Sequence, residues 1–198
     1  MTLRYGSVRA ALATACVVLV AACATTPPSQ PAADVRVEAS FSADGRMSAR
    51  RGNDGVAVHF AWRHTPAGDD FDVSTPLGQT VARMRRDASG VRVERPNEAP
   101  ADYPNWTSLT SAVLGVAIPV DGLVYWIQGV PAAQAAATVE RDRGGRLSVL
   151  RQQGWDIVYS YPGDGATRPS RLVMSYPGGE AIEVRVVVDR LDALPSPS

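Results

Sequence analysis

From Phe41 onward the apolar residues fall on every second position, and a period of two restricts the chain to strands with one buried face. Phe41, Ala43, Gly45, Met47 and Ala49 share one side, and Ser42, Asp44, Arg46, Ser48 and Arg50 share the other. Asn53-Asp54-Gly55 reads as a hairpin turn, and Val56, Val58, Phe60 and Trp62 resume the alternation beyond it. Phe71, Val73 and Thr75 continue the pattern before Pro76-Leu77-Gly78 interrupts it. Gln79 to Arg86 then forms a strand that turns at Ala88-Ser89-Gly90 into another from Val91 to Arg95. Short strands joined by short turns are the pattern of an antiparallel meander.

The period changes in the middle of the chain. Asn105 is placed to cap a helix through Leu109, Ala112 and Val113 to Gly115, and Asp121 to cap a second through Leu123, Trp126 and Ile127 to a stop at Gly129 and Pro131. Strands return at Ala137 to Arg141, Leu147 to Arg151, Trp155 to Tyr161, Arg171 to Tyr176 and Ile182 to Val188. The expectation is a mainly β domain over residues 35–191 with about ten strands and two short helices, followed by a disordered tail at 192–198. So long a sheet must cover its apolar face by curling or with the helices. Periodicity leaves open whether the interior is packed solid or hollow.

The N-terminus has a different layout. Arg4 and Arg9 precede an apolar run from Ala10 to Ala22. That run is shorter than the roughly 20 residues a membrane-spanning helix needs, and it reads as a signal peptide over 1–22 that is removed. Val20-Ala21-Ala22-Cys23 resembles the lipobox of bacterial lipoproteins, which implies cleavage before Cys23 and acylation there. Ala24 stands where an aspartate favours inner-membrane retention in that sorting pattern, so the resemblance points to the periplasmic leaflet of the outer membrane. One acyl chain anchors only marginally, and three hold effectively permanently. Residues 23–34 are rich in proline and small side chains and read as a tether.

Charge and side-chain inventory remove several function classes. Formal net charge is zero, which speaks against a nucleic-acid partner. All 20 basic residues are arginine, so neither a P-loop lysine nor a Schiff-base lysine exists. Charge reads as evenly scattered along the body, with no cluster suited to anionic lipid. His59 falls on a polar strand face and His64 in the loop after it, while Asp69-Asp70 reads as a solvated loop. No zinc motif and no nucleophile elbow is present. The expectation is a monomer without metal, cofactor or catalytic residues.

Taken in order, Gly45-Arg46, Phe60-Ala61-Trp62, Ser74-Thr75-Pro76-Leu77-Gly78, Ile118-Pro119-Val120, Leu123-Val124-Tyr125-Trp126-Ile127-Gln128-Gly129 and Gln153-Gly154-Trp155-Asp156-Ile157-Val158-Tyr159 resemble the LolB family of outer-membrane lipoprotein receptors. The resemblance covers about residues 40 to 190. It implies an incomplete antiparallel β-barrel with short helices covering an apolar cavity. It also implies a function: accepting acylated lipoprotein cargo from the periplasmic carrier LolA without ATP and inserting it into outer-membrane lipid. By the same resemblance, Phe60, Trp62, Trp126, Ile127, Trp155 and Ile157 line the acyl-chain cavity, and Leu77, between Pro76 and Gly78, projects as a membrane insertion loop. On sequence alone a leucine in that turn folds back onto the sheet. Where the family often ends its last strand with tryptophan, this chain has Asp189-Arg190-Leu191, and Trp106 has no evident family counterpart, so it reads as a helix-packing residue. Two alternatives stay open: a passive lipid-binding or assembly lipoprotein, which has no use for an exposed Leu77, and a lipid hydrolase, whose turnover His59→Ala would abolish.

Overall fold

In a computed structural model of the chain, residues 35–114, 117–178 and 181–195 are described. The expected signal peptide, Cys23 and the tether lie outside them, as do residues 196–198.

Among the described residues eleven strands form one antiparallel sheet: β1 (Phe41–Arg51), β2 (Asp54–Thr65), β3 (Gly68–Ser74), β4 (Thr80–Asp87), β5 (Gly90–Glu94), β6 (Ala101–Tyr103), β7 (Ala137–Arg141), β8 (Leu147–Gln152), β9 (Trp155–Ser160), β10 (Arg171–Tyr176) and β11 (Ile182–Ala193). Two helices, α1 (Trp106–Leu114) and α2 (Val120–Trp126), stand between β6 and β7. The spatial order is β6-β5-β4-β3-β2-β1-β11-β10-β9-β8-β7. Two meanders are therefore joined through β1 and β11, and the ends of the sheet, β6 and β7, do not pair with each other. The barrel is incomplete, and the helices fall in sequence where its two edges lie.

The expected faces hold in β1, whose Phe41, Ala43 and Gly45 are buried. Gly45 marks a register shift against β11, and a Cβ there would meet the Val187 carbonyl at 2.1 Å and the Phe60 ring at 2.8 Å. Only glycine allows so close an approach of strand to strand. The first hairpin turns one frame earlier than expected: Arg51 pairs with Asp54, and Gly52, at φ +54°, supplies the left-handed turn residue. Asp54-Gly55 already belongs to β2. At the other end β11 runs to Ala193, paired with Phe41, so 192 and 193 belong to the sheet rather than the tail.

Asn105 caps α1 as expected, its Oδ1 accepting the Ser108 amide at 2.8 Å. Asp121 is not a cap. Pro119 holds that position without a side-chain bond, and Asp121 lies in the first turn of α2. β6, which the sequence did not signal, is three residues between Pro100 and Pro104, too short to show a period. Every residue of the buried apolar cluster lies between Phe41 and Val186, so a chain beginning at Ala24 keeps the whole core.

Candidate functional site

The interior is hollow at one end and solid at the other. Beneath α1 lies a cavity of about 320 Å³. Its walls are Met47 and Ala49 of β1, Val56 and Val58 of β2, and Phe71 and Val73 of β3, continued by Val81, Ala82 and Met84 of β4. Trp106, Leu109 and Val113 of α1 close it from above, with Ile118, Val120 and Leu123 from the start of α2. Thr110 and Arg95 are the polar residues of the wall. The Thr110 hydroxyl accepts the Ile118 amide at 2.9 Å and lies within bonding distance of the Thr107 and Ile118 carbonyls. Its polarity is thus consumed locally. Val56, Val81 and Val113 line the cavity and are also solvent-exposed, so they mark its mouth. Arg95 pairs with Glu98 at 3.5 Å, and the rest of the surface is apolar and suits hydrocarbon.

None of the six residues expected to line the cavity does so. Phe60 and Trp62 stand behind Phe71, with ring centroids 5.7 Å and 5.5 Å away, and Phe71 takes the cavity face in their place. Trp126 turns toward β8, its indole N–H donating to Gln152 Oε1 at 2.8 Å. Ile127 caps α2 in the same packed region. Trp155 and Ile157 belong to the inward face of β9, with Trp155 against Tyr176 at 5.4 Å. All six are buried, while valine, alanine and methionine side chains of β1 to β4 leave room beneath α1. Trp106, expected only to pack a helix, is a cavity wall. The cavity signal was the small and flexible side chains of β1 to β4, which alternation alone does not separate from ordinary core.

A buried polar cluster anchors α1. Asp69, 4% exposed, was expected in a solvated loop; it lies on β3, opposite His64, which belongs to β2 rather than to a loop. The carboxylate accepts the Trp62 indole N–H at 2.9 Å and a bond from Arg86, and His64 Nδ1 stands at 2.6 Å. The Trp106 indole reaches it at 3.4 Å, tying the first residue of α1 to the sheet. Burial disfavours the ionised carboxyl, but the bonds from His64, Arg86 and Trp62 outweigh that and hold Asp69 below the usual carboxylate range. Among the described residues no group of histidine, cysteine, aspartate and glutamate is arranged to hold a metal.

Leu77 is 89% exposed and sits in the loop between β3 and β4, strands whose Val73, Val81 and Ala82 line the cavity. Gly78 donates to the Thr75 carbonyl and Thr75 to the Gln79 carbonyl, each at 2.8 Å. Pro76 pre-sets the second turn position, and Gly78, at φ +83°, takes the left-handed one with open space around it. The turn is closed on itself, so the leucine points away from the body and does not fold back.

Comparison with known proteins agrees with the resemblance. Residues 39–190 match the family model described as outer membrane lipoprotein LolB. The outer-membrane lipoprotein LolB of Azoarcus sp. (strain BH72) is 36% identical over 188 residues, covering 93% of this chain and 95% of that protein. The protein of the same name from Cupriavidus metallidurans is 36% identical over 181 residues, with 85% and 89% covered. Among solved structures, a LolA superfamily protein from Nitrosomonas europaea aligns over 81% of this chain and 88% of its own, at 10% identity and a TM-score of 0.48. With the family model spanning most of the body and relatives matched nearly end to end, the chain belongs to the LolB family.

Proposed function

We propose that this protein is a lipid-anchored outer-membrane receptor that takes acylated lipoproteins from the soluble carrier LolA and releases them into the membrane without nucleotide. The observation that carries the reading is the apolar cavity under α1, whose valine-rimmed mouth includes Val81 of β4, one of the two strands joined by the loop that bears the exposed Leu77. An acyl chain gains about 0.8 kcal/mol per buried methylene, so a chain in water is strongly disfavoured. Passage from one apolar cavity to another keeps that burial. Direction then needs only a difference in affinity, about 1.4 kcal/mol for each tenfold of bias. In this reading Cys23 carries the anchor, residues 23–34 tether the body, and Leu77, held between Pro76 and Gly78, enters the bilayer to open a path from the cavity.

Of the six residues first expected as lining, Phe60 and Trp62 act here as the backing of Phe71, and Trp126, Ile127, Trp155 and Ile157 as the packed end that holds the barrel. Carrier preloaded with a labelled triacylated lipoprotein, mixed with the body from Ala24 to Ser198 and separated by pull-down without ATP, tests the reading. Label moving to the body is the expected result. Label remaining on a competent carrier contradicts it and leaves a passive lipid-binding lipoprotein.

A further inference from the structure

The outer face of the sheet carries a second feature beside the Leu77 loop. Cross-strand register sets Ser74 opposite His59, His59 opposite Arg46, Arg46 opposite Val187 and Val187 opposite Arg171. In the adjoining row Ser48 faces Arg185. Of these, Arg46, Ser48, His59, Arg171, Arg185 and Val187 line a groove of about 340 Å³ whose wall includes Pro76, the neighbour of Leu77, and whose lining contains no aspartate or glutamate. Two of the guanidiniums have partners on its rim: Arg46 bonds Asp189 at 2.8 Å and Arg185 bonds Glu183 at 2.8 Å. Both pairs are solvent-exposed, and exposed pairs contribute little and exchange readily. Arg171 has no carboxylate within ion-pair distance among the described residues. Each guanidinium offers five donors in a planar fork that matches a phosphate.

We propose that this groove binds the phosphate of an anionic phospholipid headgroup and so seats the body on the bilayer when Leu77 inserts. Continuity argues for a lipid occupant. The groove shares Pro76 with the insertion turn, so a phosphate in it lies at the level of the interface when Leu77 lies below it. Charge argues the same way, with three arginines and His59 around a floor that includes Val173 and Val187, suited to a headgroup and its glycerol rather than to a free ion. The inference rests on the delivery reading of the Leu77 loop.

The test is flotation of the body from Ala24 to Ser198 with vesicles of phosphatidylcholine alone or with added phosphatidylglycerol, with cargo acceptance from the carrier followed in parallel. Binding is expected to rise about tenfold with phosphatidylglycerol, the scale of one to two arginines near an anionic surface. The triple variant Arg46→Gln/Arg171→Gln/Arg185→Gln is expected to fall to the phosphatidylcholine level while still accepting cargo. Arg92→Gln/Arg143→Gln/Arg151→Gln, which removes the same charge elsewhere, is expected to keep the preference. Equal loss in both triple variants reduces the effect to net charge and overturns the groove, as does wild-type binding indifferent to phosphatidylglycerol. Unchanged flotation with lost carrier binding makes it a protein-docking surface, which also overturns the proposal. Wild-type failure to accept cargo contradicts the receptor reading and is read separately; flotation alone judges the groove.

Discussion

The two helices lie over opposite kinds of interior. Around α2 the molecule is packed and stapled: Gln152 accepts from the Trp126 indole and the Ala132 amide and donates to the Ala132 and Ala135 carbonyls. Gln128, with no exposed surface, accepts the Glu38 amide and donates to the Glu38 and Val124 carbonyls. Each buried amide has its bonding capacity nearly filled, which fixes one geometry. α1 rests instead on the cavity through Trp106, Leu109 and Val113, held by the Asp69 cluster at its first residue and by Thr110 at its middle. A helix over empty space with few polar ties is the part of a fold that opens at least cost. In the proposed function the solid end holds the barrel and the hollow end exchanges cargo.

Side-chain deletions should separate the two ends most strongly. Ile157→Ala, in the solid end, is expected to lower unfolding stability by about 4 kcal/mol, whereas Leu109→Ala, whose side chain already faces a void, should lose about 2. Urea denaturation of the two variants measures both, and equal losses would erase the distinction. Asp69→Ala strips the acceptor from a buried cluster and should cost about 3–5 kcal/mol, with amide exchange rising first in α1.

Acid should act on the same end. Asp69 titrates lower in the folded chain than in the unfolded one, so the folded state binds fewer protons near the ordinary carboxylate range. Its stabilisation is present above about pH 4 and is lost as pH falls through that range and below. Among the described residues Asp69 is the buried carboxylate, so hydrogen exchange at pH 3 should open α1, β3 and β4 before α2, β8 and β9. Simultaneous opening of both ends would contradict the assignment.

Filling the space gives a contrast of opposite sign. Ala82→Leu should enter the cavity with stability unchanged within about 0.5 kcal/mol and reduce cargo acceptance at least about tenfold, whereas Ala43→Leu, in the packed wall beside Phe41 and Trp62, should destabilise by about 1–3 kcal/mol through overpacking. The smallest effect on folding belongs to Leu77→Glu, within about 0.5 kcal/mol for so exposed a residue. Acceptance should survive in that variant while delivery to vesicles stops. Loss of both functions would remove the loop's assigned role.

The sequence carried the sheet because alternation survives local reading: ten of the strands follow from period two, and Asn105 from cap chemistry. What it could not carry depends on residues far apart in the chain. His64 and Asp69 look like loop polar residues until β2 and β3 pair across Thr65 and Gly68. The six residues that the resemblance names as lining are not in the wall of the cavity beneath α1, and alternation could not show this, because aromatic bulk and cavity lining look alike in an alternating strand. Only register shows that Phe71 screens Phe60 and Trp62 from the space. The arginine groove is equally non-local, since Arg46, Arg171 and Arg185 meet only through the pairing of β1 and β10 with β11.

The methionines offer the most direct test of where cargo lies. Met47 and Met84 line the cavity and Met174 is fully buried in the solid end. The body from Ala24 to Ser198 is grown with photoreactive methionine, loaded with triacylated lipoprotein from the carrier, irradiated and mapped by mass spectrometry. Acyl adducts at Met47 and Met84 with Met174 unmodified are the expected result. Adducts concentrated at Met174 would place the chains among Trp155 and Ile157 and contradict a receptor that exchanges cargo beneath α1.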